Sequence, residues 1–311
     1  MPSFSFEDKK GGRAVALVRG GDFDGEILYL YEDDMPSKRK PKREIPALKY
    51  EKELKMRPAE RVATFNRLGE AMKGKNVVLK SGEAELLERI KKDEENDKSM
   101  VLPDDSMFNL IVNPDPEKRE VWYIAGASGS GKSYIARQLA ESYKKLFPAR
   151  EVYLISKLDE DSTLDSMKIG KPKRINVSTL VEDYPKLEEF EDCMVIFDDF
   201  DTFQGAEGKA VQQLIDDLAI QGRHTKTTML VLTHYITNYK KTRLILNEST
   251  HFVVYPQATS AHALGYLLKT HIGMEKDDVK ALKKLGRWVC VAKNYPQHLI
   301  SAHSAKILHT D

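Results

Sequence analysis

The sequence predicts an α/β protein, a P-loop nucleotide-binding fold with a mainly parallel, doubly wound sheet, preceded by a small α+β region. Three observations lead there. Residues 126–133, Gly126-Ala127-Ser128-Gly129-Ser130-Gly131-Lys132-Ser133, match the phosphate-binding pattern G-x-x-x-x-G-K-[ST] at every defined position. The loop stands between an apolar, β-branched and aromatic run, 120–125, and a stretch with apolar residues at helical spacing, 134–147. Strand, glycine turn and helix thus follow in the required order. From residue 107 onward strand-like and helix-like runs alternate, as in parallel strands joined by helical crossovers.

The chemistry of the loop follows from its residue types. Glycines let the backbone curl until successive N–H groups point at one phosphate, and the following helix adds about half a positive charge at its N-terminus. Lys132 brings a full charge to the β- and γ-phosphates, and Ser133 a hydroxyl oxygen for Mg²⁺. The expected nucleotide-binding set is Gly126, Ser128, Gly129, Ser130, Gly131, Lys132, Ser133 and Tyr134, with ATP and Mg²⁺ as ligands. Further on, Cys193-Met194-Val195-Ile196-Phe197-Asp198-Asp199 reads as a buried strand ending in two carboxylates, a Walker B pattern. Asp198 is placed to hold Mg²⁺ with Ser133, and Asp199 to orient or deprotonate an attacking water. The strand 228–233 ends at Thr233, followed by His234. A polar side chain there reaches a γ-phosphate or the lytic water, so both residues are sensor candidates.

The 311 residues suffice for one large domain and a smaller part, expected here as an N-terminal region, 1–106, and an ATPase domain, 107–311. Lys and Arg (49) almost balance Asp and Glu (48), so any basic surface is local. Cys193 and Cys290 sit in apolar runs, which suits buried thiols in a reducing compartment. No run approaches the roughly 18 apolar residues of a membrane span, and no signal-peptide pattern opens the chain, so an intracellular, non-secreted protein is expected. In the N-terminal part, 14–18 and 26–31 read as a hairpin around a glycine-rich turn, 77–79 as a short strand, and 59–72 and 83–98 as charged helices. Residues 36–43 form a proline-bounded basic run that reads as a solvated loop, a nucleic-acid contact or an import signal. In the second part, further strands are expected at 108–112, 151–155, 174–177 and 251–255, helices at 210–221 and 258–270, a flexible loop at 203–209, and a terminal hairpin over 287–302. Trp122 and Trp288 read as core residues.

Several of these motifs together resemble the FtsK/HerA-superfamily genome-packaging ATPases of large DNA viruses and virophages. The P-loop, the segment Arg150-Glu151-Val152-Tyr153-Leu154-Ile155-Ser156-Lys157 with its acidic continuation, Asp198-Asp199, and Gly222-Arg223-His224 before a strand carry the resemblance, which spans about residues 107–303. It implies a RecA-like ASCE sheet and a ring homo-oligomer that hydrolyses ATP between subunits and moves double-stranded DNA into a capsid. Partners implied are DNA, further copies of the chain and a capsid or portal protein, at a host-cell assembly site in cytoplasm or nucleus. Such rings complete each site with a neighbour's arginine, here Arg223 first and Arg243 second. Lys209, Lys240, Lys241 and the 171–174 loop are the candidate phosphate contacts to DNA. Many members carry Gln where this chain has Thr233-His234.

Three other readings compete: a cellular-type translocase or helicase of the same superfamily, a P-loop kinase, and a nucleotide-dependent switch. A kinase usually brings an arginine-rich lid, which is not evident here, and a pure switch has no need of Asp199.

Overall fold

The structure, a computed structural model, describes residues 2–8, 11–32, 58–72, 75–80 and 82–308. The basic run 36–43 lies outside them. Fourteen strands among the described residues form two sheets. They are β1 (Ser3–Ser5), β2 (Gly12–Arg19), β3 (Ile27–Tyr31), β4 (Ser99–Val101), β5 (Met107–Leu110), β6 (Val121–Ala125), β7 (Val152–Ile155), β8 (Lys173–Arg174), β9 (Met194–Phe197), β10 (Thr228–Thr233), β11 (His251–Val254), β12 (Val289–Ala292), β13 (His298–Ser301) and β14 (Ser304–Ile307). The helices are α1 (Pro58–Met72), α2 (Glu83–Lys98), α3 (Lys132–Leu146), α4 (Val177–Glu182), α5 (Gly205–Gln221), α6 (Tyr239–Glu248), α7 (Ala261–Tyr266) and α8 (Lys276–Leu282).

The large sheet runs β4-β14-β13-β12-β11-β6-β10-β9-β7-β8, and its centre, β11-β6-β10-β9-β7-β8, is parallel. All five residues of the P-loop strand β6 are buried, the continuous apolar run that a central parallel strand requires. Side-chain alternation divides it between two cores. Val121, Tyr123 and Ala125 pack with Val211, Leu214, Ile215 and Leu218 of α5, whereas Trp122 and Ile124 pack with Ile135, Ala136, Leu139 and Tyr143 of α3. Helices thus cover both faces, as a doubly wound sheet demands. Cys193 and Cys290 are buried free thiols. Among the described residues no helix is long and apolar enough to cross a membrane.

The small antiparallel sheet, β1-β3-β2-β5, lies against the α3 face: Leu28, Leu30 and Phe108 belong to the same core as Ile135 and Leu139. Each side of the expected boundary at 106/107 lends a strand across it. β4 pairs with β14 in the large sheet, and β5 pairs with β2 in the small one.

Several elements differ from expectation. Residues 77–79 form no strand; Val78 stands 90% exposed, with no ladder for its backbone groups to join. The strand expected at 174–177 is Lys173–Arg174, because the Asn176 side chain accepts from the Ser178 N–H and caps α4. Residues 205–209 are the first turn of α5 rather than loop. The helix expected from 258 begins at Ala261, where Ser260 caps it, and passes into a π-helical turn at Leu267–His271. The terminal hairpin gains a third strand, β14. Trp122 is fully buried and Trp288 partly so.

Leu28→Ala in the shared core is expected to lower the stability of the whole chain by about 3 kcal/mol, seen as a shift of one cooperative thermal transition. A separate early transition confined to the small sheet would show instead that the two parts unfold independently.

Candidate active site

The P-loop, both Walker B carboxylates and His234 meet at one edge of the sheet because β6, β10 and β9 are parallel neighbours with matched ends. Ala125 pairs with Thr233, and Val231 with Phe197, so all three chains leave the sheet on the same side. The Gly126 N–H donates to the Thr233 carbonyl at 3.1 Å, which ties the start of the P-loop to the end of β10.

In the loop, Gly129 and Gly131 have φ of +73° and +112°, the left-handed region that a side chain resists. A Cβ on Gly126 would lie 2.5 Å from the Tyr255 ring and 2.7 Å from Ser130 Oγ, so this residue is glycine for lack of room. Lys132 opens α3 with its side chain buried; its Nζ donates to the Gly126 carbonyl at 3.0 Å and lies 3.4 Å from Asp199 Oδ1. Ser133 follows, half-buried, and the Tyr134 ring stands 53% exposed.

Asp198 is buried directly after β9 and accepts from Ser156 Oγ at 3.0 Å. Burial raises its carboxyl to about 6; the charge of Asp199 adds to the rise and the Ser156 hydroxyl opposes it. Asp199 adopts φ 42°, ψ 49°. This left-handed bend, tolerated by aspartate better than by most residues, turns the second carboxylate back toward Lys132. His234 Nε2 lies 3.7 Å from the other Asp199 oxygen, Oδ2. Its Nδ1 stands 3.1 Å from Asp201 Oδ2, and its backbone N–H donates to Asp201 Oδ1 at 3.2 Å. Because a carboxylate only accepts, Asp201 holds the imidazole with the proton on Nδ1 and leaves Nε2 facing Asp199.

Of the two sensor candidates, then, His234 faces the carboxylate. Thr233 is fully buried, and its hydroxyl accepts the Tyr235 N–H at 3.0 Å to shape the turn after β10. Arg223 is exposed at the opposite end of β10, about 17 Å from the P-loop edge at the rise of a parallel strand. Its loop is braced by Arg119, which donates to the Leu218 and Ala219 carbonyls at 2.5 and 2.6 Å, closing the C-terminus of α5. Arg243 lies on the exposed face of α6. Arg223 therefore stands apart from the site of its own chain.

The arrangement fits a nucleoside triphosphate with a divalent cation. Ser130 Oγ is buried without a hydrogen-bond partner, a costly state that a phosphate oxygen accepting from the hydroxyl relieves. The space where a Gly129 Cβ would stand is open. Ser133 and Asp198 supply the hard oxygen donors that Mg²⁺ takes.

Asp201 and Arg287 were not singled out by sequence. The acidic spacing of Asp198, Asp199 and Asp201 was a usable signal for the first. Arg287, whose Nε and Nη2 donate to the Ser130 and Gly129 carbonyls, both at 2.9 Å, stands 157 residues from the loop and had none.

Protein V3 of the Sputnik virophage, itself uncharacterised, is 33% identical to this chain over 222 residues, 69% of this chain and 88% of V3. No family model matches the chain. Among solved structures, the genome packaging NTPase B204 from Sulfolobus turreted icosahedral virus 2, in complex with AMPPCP, aligns with a TM-score of 0.42 and 14% identity over 60% of this chain and 97% of that one. The cytoplasmic domain of the Thermomonospora curvata type VII secretion ATPase EccC aligns with a TM-score of 0.45 and 15% identity over 67% of this chain and 29% of that one. Likenesses at this level say nothing of residue roles.

The Asp198 carboxyl titrates at about 6 in the fold against an ordinary 3.8, so folding disfavours its charged form. Stability therefore falls as pH rises through about 6. Asp198→Asn is expected to stabilise the nucleotide-free protein at pH 8 by up to about 3 kcal/mol and not at pH 4. Thermal melting at the two pH values checks this; an equal gain at both would contradict the assignment.

Proposed function

We propose that this chain, which belongs to the family of the Sputnik virophage protein V3, is a P-loop ATPase of the FtsK/HerA type that hydrolyses ATP to drive double-stranded DNA into a viral capsid. The observation that carries the reading is the convergence of Lys132, Asp199 and His234, with contacts of 3.4 and 3.7 Å, at the ends of neighbouring parallel strands.

The Lys132 ammonium is held by the Gly126 carbonyl and Asp199. A bound triphosphate supplies stronger acceptors, and the ammonium turns to the β- and γ-phosphates, releasing Asp199. Ser133 and Asp198 would hold Mg²⁺, which would supply charge neutralisation on the phosphates. Asp199 then takes a proton from water as its oxygen attacks the γ-phosphorus. The bond from that phosphorus to the β-phosphate bridging oxygen breaks, leaving ADP and inorganic phosphate. His234, held by Asp201, lies beside Asp199 and positions the same water. Arg223 stands too far from its own P-loop to serve it, so its proposed role is on a neighbour's site in a ring.

DNA contact is proposed at the cleft of about 710 Å³ between the starts of α5 and α6, which brings Lys209, Lys240 and Lys241 together. It also holds two carboxylates, Asp217, which accepts from Tyr184, and Asp216, which accepts from Gln212. In the 171–174 loop, Lys173 pairs with Glu151 and Arg174 with Asp165, so the cleft is the better surface. A capsid or portal protein is the remaining proposed partner, at a cytoplasmic or nuclear assembly site.

Lys132→Ala is expected to lose ATP binding, and Asp199→Asn to bind ATP while releasing phosphate at least about 100-fold more slowly. Mixing Arg223→Ala with Asp199→Asn subunits should recover activity; no recovery would remove the role across subunits. Linear double-stranded DNA is expected to stimulate hydrolysis at low salt and to lose that effect as salt rises. Lys240→Ala/Lys241→Ala should reduce the slope of log affinity against log salt by about 2 and spare DNA-free turnover. Hydrolysis indifferent to DNA at every salt concentration would count against translocation.

A further inference from the structure

Among the described residues, Arg287 makes a contact with the P-loop that nucleotide chemistry alone does not require. Its side chain comes from the segment just before β12, in the antiparallel part of the large sheet, and crosses to two successive P-loop carbonyls. Nε donates to the Ser130 oxygen and Nη2 to the Gly129 oxygen, each at 2.9 Å. Residues 127–129 are otherwise exposed, and the loop holds two glycines in the left-handed region, so left alone it has many conformations to lose on binding a phosphate.

We propose that Arg287 is a positioning residue for nucleotide binding, a two-toothed clamp that fixes the turn of the P-loop and aims the Gly131 N–H into it. The argument is geometric. A trans peptide sends its carbonyl and its N–H in opposite directions. Holding the Gly129 carbonyl outward sends the Ser130 N–H back across the loop, where it donates to the Ala127 carbonyl at 3.2 Å and closes the turn. Holding the Ser130 carbonyl outward sends the Gly131 N–H away from the guanidinium, toward the interior of the loop where α3 begins. The guanidinium suits this task because its planar fork presents two parallel donors, which the single ammonium of lysine does not.

Two neighbours frame the clamp. A Cβ on Gly131 would stand 3.8 Å from Arg287 Nη2 and 3.9 Å from the Tyr255 hydroxyl. Tyr255 is buried against Gly126, and its hydroxyl has no hydrogen-bond partner. Tyr255 follows β11, which pairs with β12 through Val254 and Val289. The P-loop is therefore braced from β11 and β12 together, and the order of the nucleotide pocket depends on the antiparallel strands as well as on β6 and α3.

This inference rests on the reading of the chain as an ATPase. Its test uses the full chain, a fluorescent N-methylanthraniloyl ATP to measure affinity, and steady-state hydrolysis to separate KM from kcat. Arg287→Ala is expected to weaken nucleotide affinity and raise KM about tenfold, with kcat within about twofold, because the clamp acts alike on ground and transition states. Arg287→Lys and Arg287→Gln should fall between, and millimolar methylguanidine should restore affinity to Arg287→Ala while leaving the wild type unchanged. Thermal melting of each variant shows whether it folds. Wild-type affinity in Arg287→Ala, a fall in kcat at constant KM, or an affinity loss that methylguanidine does not repair would each overturn the clamp and leave the ATPase reading standing. A wild-type chain that binds no nucleotide would overturn both.

Discussion

β10 lies hydrogen-bonded in parallel between β6 and β9, and the edge where the P-loop meets the carboxylates is built on that one ladder. The strand carries none of the phosphate-binding residues, yet it sets the distance between the two strands that carry the loop and the carboxylates. It also ties the loop down through the bond from Gly126 to the Thr233 carbonyl. A slip of one residue in its register would turn Leu230 and Leu232 from the α3 core toward the α5 core. The register in turn places His234 against Asp199.

Charge at the site is arranged economically. One buried ammonium, Lys132, stands among acidic groups, and burial moves the titration of Asp198 up to about 6. Asp199 keeps partial exposure, and Asp201 is occupied by both the ring and the backbone of His234. The three aspartates of one short segment thus have separate environments: one desolvated, one bent toward the lysine, one holding the His234 ring. That division comes from a left-handed residue followed by a 3-10 turn at Phe200–Thr202.

The sequence made the loop, its strand and its helix legible because their relations are local, a few residues apart along the chain. Asp198 and Asp199 were legible for the same reason. The choice between Thr233 and His234 was not, since it turns on which of two adjacent side chains leaves the end of a strand toward its neighbour, a matter of register with β9. Asp201 lies close in sequence to the second carboxylate, but its partner is 33 residues away. Arg287 is farther still from the carbonyls it holds, and no periodicity joins them. Short edge strands such as β4, with three residues, were hidden because so brief a run has no alternation to read. The first turn of α5, rich in glycine and polar residues, read as loop because the apolar contacts that define the helix begin only at Val211.

The exchange of strands between the two sheets bears on the order in which the molecule is made. β4 leaves the ribosome early, yet its hydrogen-bonding partner β14 follows about 200 residues later, some 10–40 s at ordinary elongation rates. Over that interval the backbone groups of β4 have no ladder, while β5 can already join β2 and complete the small sheet. All four strands of the small sheet are therefore synthesised before the large sheet can close.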